Sequence, residues 1–385
     1  MSSLAVEAEI DKLSQTLDVD RGRLAFLRGV PPDQLRGLRI AIYERLYRED
    51  RVVFRRLAAL LARLPPWLAV RASQRFGPLV TARVATELVS RRAVDMAQRL
   101  PVAFAADVAV DLDPRRAHDL LAHVSTERIV EVAAELVRRR DYITMSRFVE
   151  FLPEEAIRTF VDATPDEGAL LRVAFYMGSK NRLDHVFRML PPERMERTIV
   201  RVQEEPAELL PAFLSLLIHV TYGLKRELGD LAAEQDESVL VGYIRATQEQ
   251  ELWPDMLPVV AAMSEPARRR VVNLPILRDP QVQESIVETA DERRLWGFVL
   301  PMIELMDDAN RAAVAAILAR KDRSALEAAA DAALMGEHWE ALLDLVRRMP
   351  EAKQQEFEAI VRGYAGVDPD LVGRVIPLRA SRPQV

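Results

Sequence analysis

The sequence predicts an all-α protein, folded as a right-handed superhelical solenoid of short helices, and three observations support this prediction. Good helix formers such as Ala, Leu, Arg and Glu are abundant in the 385 residues, whereas alternating runs of β-branched residues are scarce. A stripe of apolar residues with helical spacing returns at a fixed interval in the C-terminal half. In the N-terminal half, short apolar segments end repeatedly in Leu-Pro, which is typical of a corner between two helices.

The C-terminal half carries four copies of one apolar stripe, and three of the copies begin with Trp. Each copy has apolar residues at positions i, i+3, i+4, i+7 and i+10, which lie on one side of a helix. The copies are 43 residues apart, without insertion, and begin at Leu210, Trp253, Trp296 and Trp339. Apolar positions later in each unit, such as Leu228 and then Val239, keep the same register and predict a second and a third helix.

A period of about 40–47 residues is typical of HEAT- and armadillo-type stacking, with two or three helices per repeat. A single repeat of this size cannot bury its apolar side alone, so neighbouring repeats must stack. We therefore expect Trp253, Trp296 and Trp339 to fill the core between repeats rather than to form an aromatic binding ladder.

The N-terminal half repeats the stripe at irregular intervals and often ends it in Leu-Pro. Pro has no amide hydrogen and is tolerated in the first turn of a helix, so each pair predicts the end of one helix and the start of the next. These pairs are Leu64-Pro65, Leu100-Pro101, Leu152-Pro153 and Leu190-Pro191, and the C-terminal half has a Met-Pro variant, Met349-Pro350. Acidic residues follow several corners, as in "LPEEA", where they face the positive end of a helix dipole. We interpret these acidic pairs as helix-start residues rather than as catalytic groups.

The passage "RLPVAFAADVAVDLDPRRAHDLLAHVSTERIVEVAAEL", at residues 99–136, consists of three short units, each with a polar corner followed by apolar residues. Asp113 suits a helix N-cap and Pro114 the first helical position. The passage resembles the intracellular N-terminal domain of the MgtE magnesium transporters, and the likeness covers about residues 51–205. The resemblance implies a superhelix of short helices, and in the transporters this domain helps to sense magnesium through acidic residues.

Asp107, Asp111 and Asp113 are the acidic residues in this passage that could meet a hard cation, since such ions take oxygen ligands. Each of them also has an ordinary interpretation, because Asp107 and Asp111 lie one helical turn apart and Asp113 suits a cap. We therefore predict no metal site and no cofactor. Transport is not implied, because no membrane helix is predicted.

The patterns divide the chain into four predicted segments. Residues 1–50 form N-terminal helices, and residues 51–205 form the MgtE-like helical repeats. Residues 206–364 form four 43-residue repeats of three helices, and residues 365–385, rich in Pro and Gly, form a flexible tail.

The net charge of −6 is unevenly distributed along the chain. Residues 51–150 contain 17 Arg and 11 acidic residues, whereas residues 203–253 contain 3 basic and 10 acidic residues. An Arg-rich concave face would suit nucleic acid, and this hypothesis predicts convergence of Arg83, Arg91, Arg92, Arg138, Arg139 and Arg140. However, Arg supplies 48 of the 53 basic residues of the chain, so the richness in Arg is general and favours solvated helix surfaces.

No motif for catalysis or nucleotide binding is present, and we predict no catalytic residues. "DVDRG" at residues 18–22 opens like a calcium loop, but Gly29 stands where an EF-hand needs Glu. His118 and His123, the closest pair of histidines, would point about 140° apart on a helix. The protein is therefore expected not to be an enzyme.

The chain contains no Cys, which excludes disulfides and thiolate metal sites and suits a reducing compartment. Its first residues do not show the basic-then-apolar pattern of a signal peptide. The longest apolar run, "LLPAFLSLLIHV", is shorter than the roughly 20 residues that span a bilayer. We expect a cytoplasmic protein without a transmembrane segment.

These observations predict a non-enzymatic scaffold or regulatory adaptor that binds a protein partner through its helical-repeat surface. The cytoplasmic side of a membrane protein is one such partner, by analogy with MgtE. Two alternatives stay open at this point: a nucleic-acid-binding protein that uses an Arg-rich concave face, and a magnesium-responsive regulatory domain without a pore.

Overall fold

A computed structural model describes residues 3–178, 183–336 and 338–363, and every regular element in these ranges is helical. The all-α prediction is confirmed. The α-helices are α1 Ser3–Leu17, α2 Pro32–Leu61, α3 Pro66–Phe76, α4 Pro78–Ala85, α5 Ser90–Arg99, α6 Val102–Asp111, α7 His118–Leu121, α8 Thr126–Arg138, α9 Tyr142–Phe148, α10 Glu154–Ala163, α11 Glu167–Tyr176, α12 Leu183–Met189, α13 Pro192–Glu204, α14 Pro206–Leu217, α15 Tyr222–Glu234, α16 Glu237–Glu249, α17 Trp253–Ala262, α18 Glu265–Val272, α19 Pro280–Glu292, α20 Trp296–Ile303, α21 Asp308–Arg320, α22 Arg323–Gly336, α23 Trp339–Arg347 and α24 Glu351–Gly363. Two 3-10 helices, Arg21–Gly29 and Pro275–Arg278, complete the set.

The chain divides into two compact units. Unit 1 consists of Met1–Val202 with Pro211–His219, and unit 2 consists of Gln203–Leu210 with Val220–Val385. The finer boundaries at residues 50, 205 and 364 stay predictions, and the predicted tail at 365–385 lies outside the described residues. A transmembrane helix needs about 20 mostly apolar residues, and none of the described helices has such a stretch.

In unit 1, alternate helices stack on one another. Helices α2, α4, α6, α8 and α10 contact each other in succession, and α3, α5 and α7 do the same. The apolar side chains between these helices, including Ala106, Leu120 and Leu136, form its central core. Helix α1 packs against α2 and against the 3-10 helix Arg21–Gly29, around a smaller core that contains Ile10 and Leu13.

The Leu-Pro corners lie where the sequence predicts them. Pro65, Pro101 and Pro153 are the N-cap residues of α3, α6 and α10, one position before the helix. The prediction for Pro114 is wrong, because the segment after Asp113 is a turn and α7 begins only at His118. The Asp113 carboxylate accepts the backbone N–H of Arg115 at 3.1 Å and its guanidinium at 2.7 Å, which holds this segment as a turn.

Three arginines in unit 1 close the ends of earlier helices in the same way, and we call them the arginine clamps. Arg92, Arg128 and Arg194 are each the third residue of their helix, in α5, α8 and α13. Each guanidinium donates to backbone carbonyls 28 to 33 residues earlier. The acceptors are Leu61 and Leu64 for Arg92, Ala97 and Leu100 for Arg128, and Val161 and Thr164 for Arg194. The last carbonyls of a helix have no partner within it, so the clamps satisfy groups that would otherwise be buried and unpaired.

In unit 2, the three-helix repeat keeps its predicted register. The first helices of three repeats begin at Trp253, Trp296 and Trp339. The second helices begin at Tyr222, Glu265, Asp308 and Glu351, and the third helices begin at Glu237, Pro280 and Arg323. Every one of these series has a step of 43 residues. The three Trp side chains are at most 6% exposed and belong to one continuous apolar core, so the prediction that they fill the core is confirmed.

The corners that precede α17 and α20 each have a left-handed residue that is not glycine. Glu251 and Arg294 both have φ 56°, and the next residue donates its N–H to a carbonyl five positions back. This hydrogen bond closes a Schellman-type helix end. Arg140 has the same conformation, φ 58°, before α9 in unit 1. The two units therefore share one kind of corner, although their sequences are spaced differently.

Candidate interaction surface

The arginines that the nucleic-acid hypothesis requires have local partners in several cases. Arg92 is an arginine clamp. Arg138 and Arg139 both bind Glu135, at 2.6 and 2.8 Å, and these two guanidinium groups lower the pKa of the Glu135 carboxyl to about 2. Arg139 also donates to the carbonyl of Ala103 at 3.0 Å. These contacts tie Arg92, Arg138 and Arg139 to the fold.

The acidic residues of the MgtE-like passage interact with different arginines rather than with one common group. Asp107 pairs with Arg139, and Asp113 pairs with Arg115. Burial raises the pKa of Asp111, an effect that the nearby charge of Arg83 opposes. Within residues 3–178, 183–336 and 338–363, no three acidic or histidine side chains are grouped as a metal site would require.

His118, His123 and the calcium-like loop make local contacts within the fold. His123 Nδ1 lies 2.7 Å from the carbonyl oxygen of Asp119, and His118 lies beside the Asp119 carboxylate at 3.6 Å. Asp20 caps the first 3-10 helix by accepting the N–H of Gly22 at 2.8 Å. The Asp307 carboxylate likewise caps α21. Contacts with neighbouring residues therefore explain the positions of these side chains.

The first two helices of the unit 1 stack carry apolar side chains that face solvent. Leu60, near the end of α2, is 60% exposed, and Trp67, in the first turn of α3, is 62% exposed. Phe76 and Leu79 flank the next corner, between α3 and α4, and both are exposed as well. The opposite side of α3 is buried, with Ala69 inside the core. Helix α3 therefore presents an apolar side chain to solvent at each end.

Exposed arginines lie between these apolar residues at helical spacing. Arg56 lies one turn before Leu60 on α2, Arg63 lies in the turn that follows α2, and Arg71 is one turn from Trp67 on α3. Among the described side chains, no carboxylate lies within ion-pair distance of Arg56, Arg63, Arg71 or Arg75. We call this set the Trp67 surface: Leu60, Trp67, Phe76, Leu79, Arg56, Arg63, Arg71 and Arg75.

The positive charge of this region is not balanced by its own acids. Residues 51–99 contain ten Arg, no Lys and only two acidic residues, Glu87 and Asp95. Glu87 is already shared by two arginines of α2, at 2.9 and 3.4 Å, and Asp95 by two arginines of α5. The Trp67 surface thus combines apolar area with guanidinium groups that have no carboxylate partner among the described side chains.

The chain was compared with protein-family models and with curated proteins, and neither comparison finds a match. The interpretation of the Trp67 surface therefore rests on its chemistry. The sequence contained a signal for it, because Leu60 and Trp67 fall outside the buried stripe of Phe54, Leu57 and Leu61 and stand among arginines. Periodicity alone did not separate Trp67 from the buried Trp residues.

Proposed function

We propose that this protein is a non-enzymatic scaffold or adaptor, and that its Trp67 surface binds a segment of a partner protein that carries both acidic and apolar side chains. The observation that supports this proposal is the exposure of Trp67 and Leu60 among arginines without carboxylate partners. The partner is a cytoplasmic protein or the cytoplasmic side of a membrane protein, the second by analogy with MgtE alone.

The energetics favour such a partner. Burial of apolar surface contributes about 25 cal/mol per Å², and Trp and Arg are the residue types most enriched at the energetic centres of protein interfaces. A carboxylate can accept two parallel hydrogen bonds from one guanidinium, which adds orientation to the attraction. A partner with Asp or Glu beside Leu or Phe would satisfy both parts of the Trp67 surface.

The position of the surface also supports the proposal. We propose that each unit is a right-handed superhelical solenoid of HEAT or armadillo type. The end repeats of such solenoids normally present a polar outer side, since no neighbour covers them. Helices α2 and α3 begin the unit 1 stack, and their exposed apolar residues suit an end that a partner covers.

The two alternative functions have weaker support. Nucleic-acid binding relies on contacts to phosphate groups, to which the apolar side chains of Leu60 and Leu79 add nothing. Arg138 and Arg139, which the nucleic-acid hypothesis requires, are paired with Glu135. A magnesium-responsive domain would use acidic side chains, but those of Asp107 and Asp113 pair with arginines. A protein partner is therefore the proposal that accounts for most of the exposed chemistry.

Site-specific photo-crosslinking in the native cell tests this proposal. The full chain would carry p-benzoylphenylalanine in place of Trp67 in one version, and in place of Met335, which is 82% exposed in unit 2, in the control. We expect the photoreactive group at position 67 alone to give a defined adduct with one protein. The adduct should resist nuclease and should fall at least about fivefold when Arg63→Glu and Arg71→Glu are added.

Three results would reject the proposal. The first is the same set of adducts from positions 67 and 335. The second is an adduct at position 67 that does not depend on Arg63 and Arg71. The third is an adduct with nucleic acid or lipid in place of protein, which would assign the Trp67 surface to that other class of partner.

A further inference from the structure

A cavity of about 170 Å³ lies in the core of unit 1, between its two rows of stacked helices, and we call it the repeat cavity. Its lining comes from α3, α5 and α7 on one side and from α4, α6, α8 and α10 on the other, with two residues of α9. Among the described residues that line it, only Ser73, Thr81 and Arg128 have a nitrogen or oxygen atom in the side chain. The other lining side chains are those of Ala, Val, Leu, Ile, Met and Phe, so the cavity suits an apolar ligand.

The positions of the lining residues show that the repeat cavity is elongated. Ser73 on α3 and Thr81 on α4 line it at the start of the stack, and Ile157 and Phe160 on α10 line it at the other end. Packed helices lie about 8–10 Å apart, and three such intervals separate α4, α6, α8 and α10. A volume of about 170 Å³ over this length is narrow. It accommodates an unbranched chain, but not an α-helix, which is about 10–12 Å wide with its side chains.

A second cavity, of about 70 Å³, continues the repeat cavity beyond α10. Val149, Ile157 and Phe160 line both cavities, and the second one extends to Leu171 on α11 and Phe187 on α12. The two spaces therefore follow one line along the inside of unit 1. A chain that fills the first cavity can lengthen into the second one past these three shared side chains.

The three polar side chains of the repeat cavity differ in their hydrogen bonding. Thr81 Oγ1 donates to the carbonyls of Gly77 and Ser73, at 2.8 and 3.0 Å. Arg128 is an arginine clamp and also binds Glu131 at 2.9 Å. Ser73 Oγ is completely buried and forms no hydrogen bond with any described residue. A buried hydroxyl without a partner is unfavourable, so the Ser73 side chain favours a ligand that can hydrogen-bond to it.

A water molecule is a poor partner for the Ser73 hydroxyl. A buried water usually makes roughly two to four hydrogen bonds, and an engineered cavity of about 150 Å³ in another protein stays dry and binds benzene because its lining is apolar. The lining of the repeat cavity offers the Ser73 hydroxyl, while the donors of Thr81 and Arg128 are already used. The chemistry of the lining therefore matches a ligand with an apolar body and one polar atom.

We propose that the repeat cavity binds an unbranched aliphatic chain of about six to ten carbons with one neutral hydroxyl or ester group, and that this group pairs with Ser73 Oγ. The polar group is neutral because a buried carboxylate needs a cation. The one cation of the lining, Arg128, is held by two backbone carbonyls and by Glu131. A hydroxyl or a carbonyl oxygen needs only the hydrogen bond that Ser73 can give.

Such a ligand has a path to the cavity and would stabilise unit 1. Val124, Val132 and Leu152 line the cavity and are only half-buried, so the lining reaches the protein surface at these residues. The ligand would contact both rows of helices at once. A ligand that binds only the folded state raises apparent stability with its concentration, so the melting temperature of the full chain is expected to rise with added ligand.

The test compares the wild-type full chain with Ala133→Leu, Ser73→Ala and the matched control Ala134→Leu. Ala133 on α8 lines the repeat cavity, whereas its neighbour Ala134 is exposed and does not line it. Binding of 1-hexanol, 1-octanol, methyl octanoate, octanoate and benzene would be measured by calorimetry and by thermal melting. Circular dichroism of the ligand-free variants establishes that each of them is folded.

We expect 1-octanol to bind the wild type and Ala134→Leu, and to bind Ala133→Leu at least about tenfold more weakly, because the added carbons fill the cavity. Ser73→Ala should weaken 1-octanol about three- to tenfold but leave benzene unchanged, since benzene forms no hydrogen bond with the hydroxyl. Each added methylene tightens binding about fourfold when it is buried, so 1-hexanol should bind at least about tenfold more weakly than 1-octanol. Octanoate should bind more weakly than either neutral compound of the same chain length.

Tighter binding of methyl octanoate than of 1-octanol would identify an ester as the ligand class, and the reverse order would identify an alcohol. The proposal is overturned if neither compound binds the wild type at millimolar concentration. Equal binding of 1-octanol by Ala133→Leu and Ala134→Leu would overturn it as well, and so would an unchanged affinity of Ser73→Ala for 1-octanol. Trp67 does not line the repeat cavity, so photo-crosslinking at position 67 is independent of these results.

Discussion

The two units differ in the side chain that recurs along them. In unit 2, three repeats begin with a Trp that is almost completely buried in the apolar core. In unit 1, the ends of three helices are held by the arginine clamps, whose guanidinium groups donate to carbonyls at the end of an earlier helix. Arg270 makes a related contact in unit 2, with the carbonyls of Ala233 and Gln235 at 2.6 and 2.8 Å.

This difference offers a physical account of the spacing in the sequence. A Trp ring fills a fixed volume, and densely packed cores do not tolerate large changes of shape, so the repeats of unit 2 keep one length. An Arg side chain is long and can reach acceptors at several positions, from 28 to 33 residues away. The repeats of unit 1 can therefore vary in length while the helix ends remain satisfied.

The largest effect is expected from removing a buried Trp. Trp296→Ala removes a side chain that is 0% exposed, and such a change costs about 3–5 kcal/mol of unfolding free energy. The matched control, Trp67→Ala on the exposed surface, should change stability by no more than about 0.5 kcal/mol. Urea denaturation followed by circular dichroism measures both. Equal losses would contradict the contrast between the core Trp residues and Trp67.

A smaller effect is expected from removing an arginine clamp. Arg128→Met keeps most of the aliphatic stem but leaves the carbonyls of Ala97 and Leu100 without their charged donor. Loss of hydrogen bonds from a charged group costs about 1.5–3 kcal/mol. Arg63→Met, at an exposed arginine of the Trp67 surface, is the control and should be nearly neutral. If both variants unfold at the same urea concentration, the clamps do not hold unit 1 together.

A gain of stability is expected at the left-handed corner that the two units share. Glu251 has φ 56°, a conformation that is unfavourable for a residue with a side chain. Glu251→Gly should raise the unfolding free energy by about 0.5–1 kcal/mol, since glycine adopts this conformation without strain. The neighbouring change Gln250→Gly, where φ is −105°, should lower stability by a similar amount. Melting temperatures that move in the same direction for both variants would disprove the role of this corner.

The smallest effect concerns the dependence of stability on pH. Burial alone would raise the pKa of Asp113, but the hydrogen bonds and charge of Arg115 outweigh it and lower the pKa below 3.8. A depressed pKa in the folded state means that the stabilisation is present above 3.8 and is lost as pH falls toward the lower folded value. Asp113→Asn should therefore show a shallower loss of stability in this acid range than the wild type. Parallel curves of unfolding free energy against pH would contradict this expectation.

Much of the fold was predictable because helices produce periodic patterns in the local sequence. The spacing of Trp253, Trp296 and Trp339 indicated both the core and the repeat length, since identical volumes must return at identical intervals. The Leu-Pro corners indicated helix starts for a similar reason. The helix expected at Pro114 failed because a side chain interaction, between Asp113 and Arg115, competes with the local preference for helix.

The arginine clamps and the Trp67 surface were not predictable from local sequence patterns. The partners of Arg128 and Arg194 lie about 30 residues away, in a helix that no local pattern connects to them. Lys12 and Arg147 line one cavity although they are far apart in sequence. Exposure, which distinguishes Trp67 from Trp296, is a property of the packed structure and not of the residue type.

The 43-residue register of unit 2 also has a consequence for the growing polypeptide. The main contacts of α17 are with α15, α16, α18, α19 and α20, which all lie within about one repeat, so each repeat can be buried as soon as the next one leaves the ribosome. At synthesis rates of about 5–20 residues per second, one repeat emerges every ~2–9 s. We expect stepwise folding of the nascent chain at this interval. Force measurements on chains stalled at successive lengths would show one step per repeat, whereas a single step at full length would contradict this expectation.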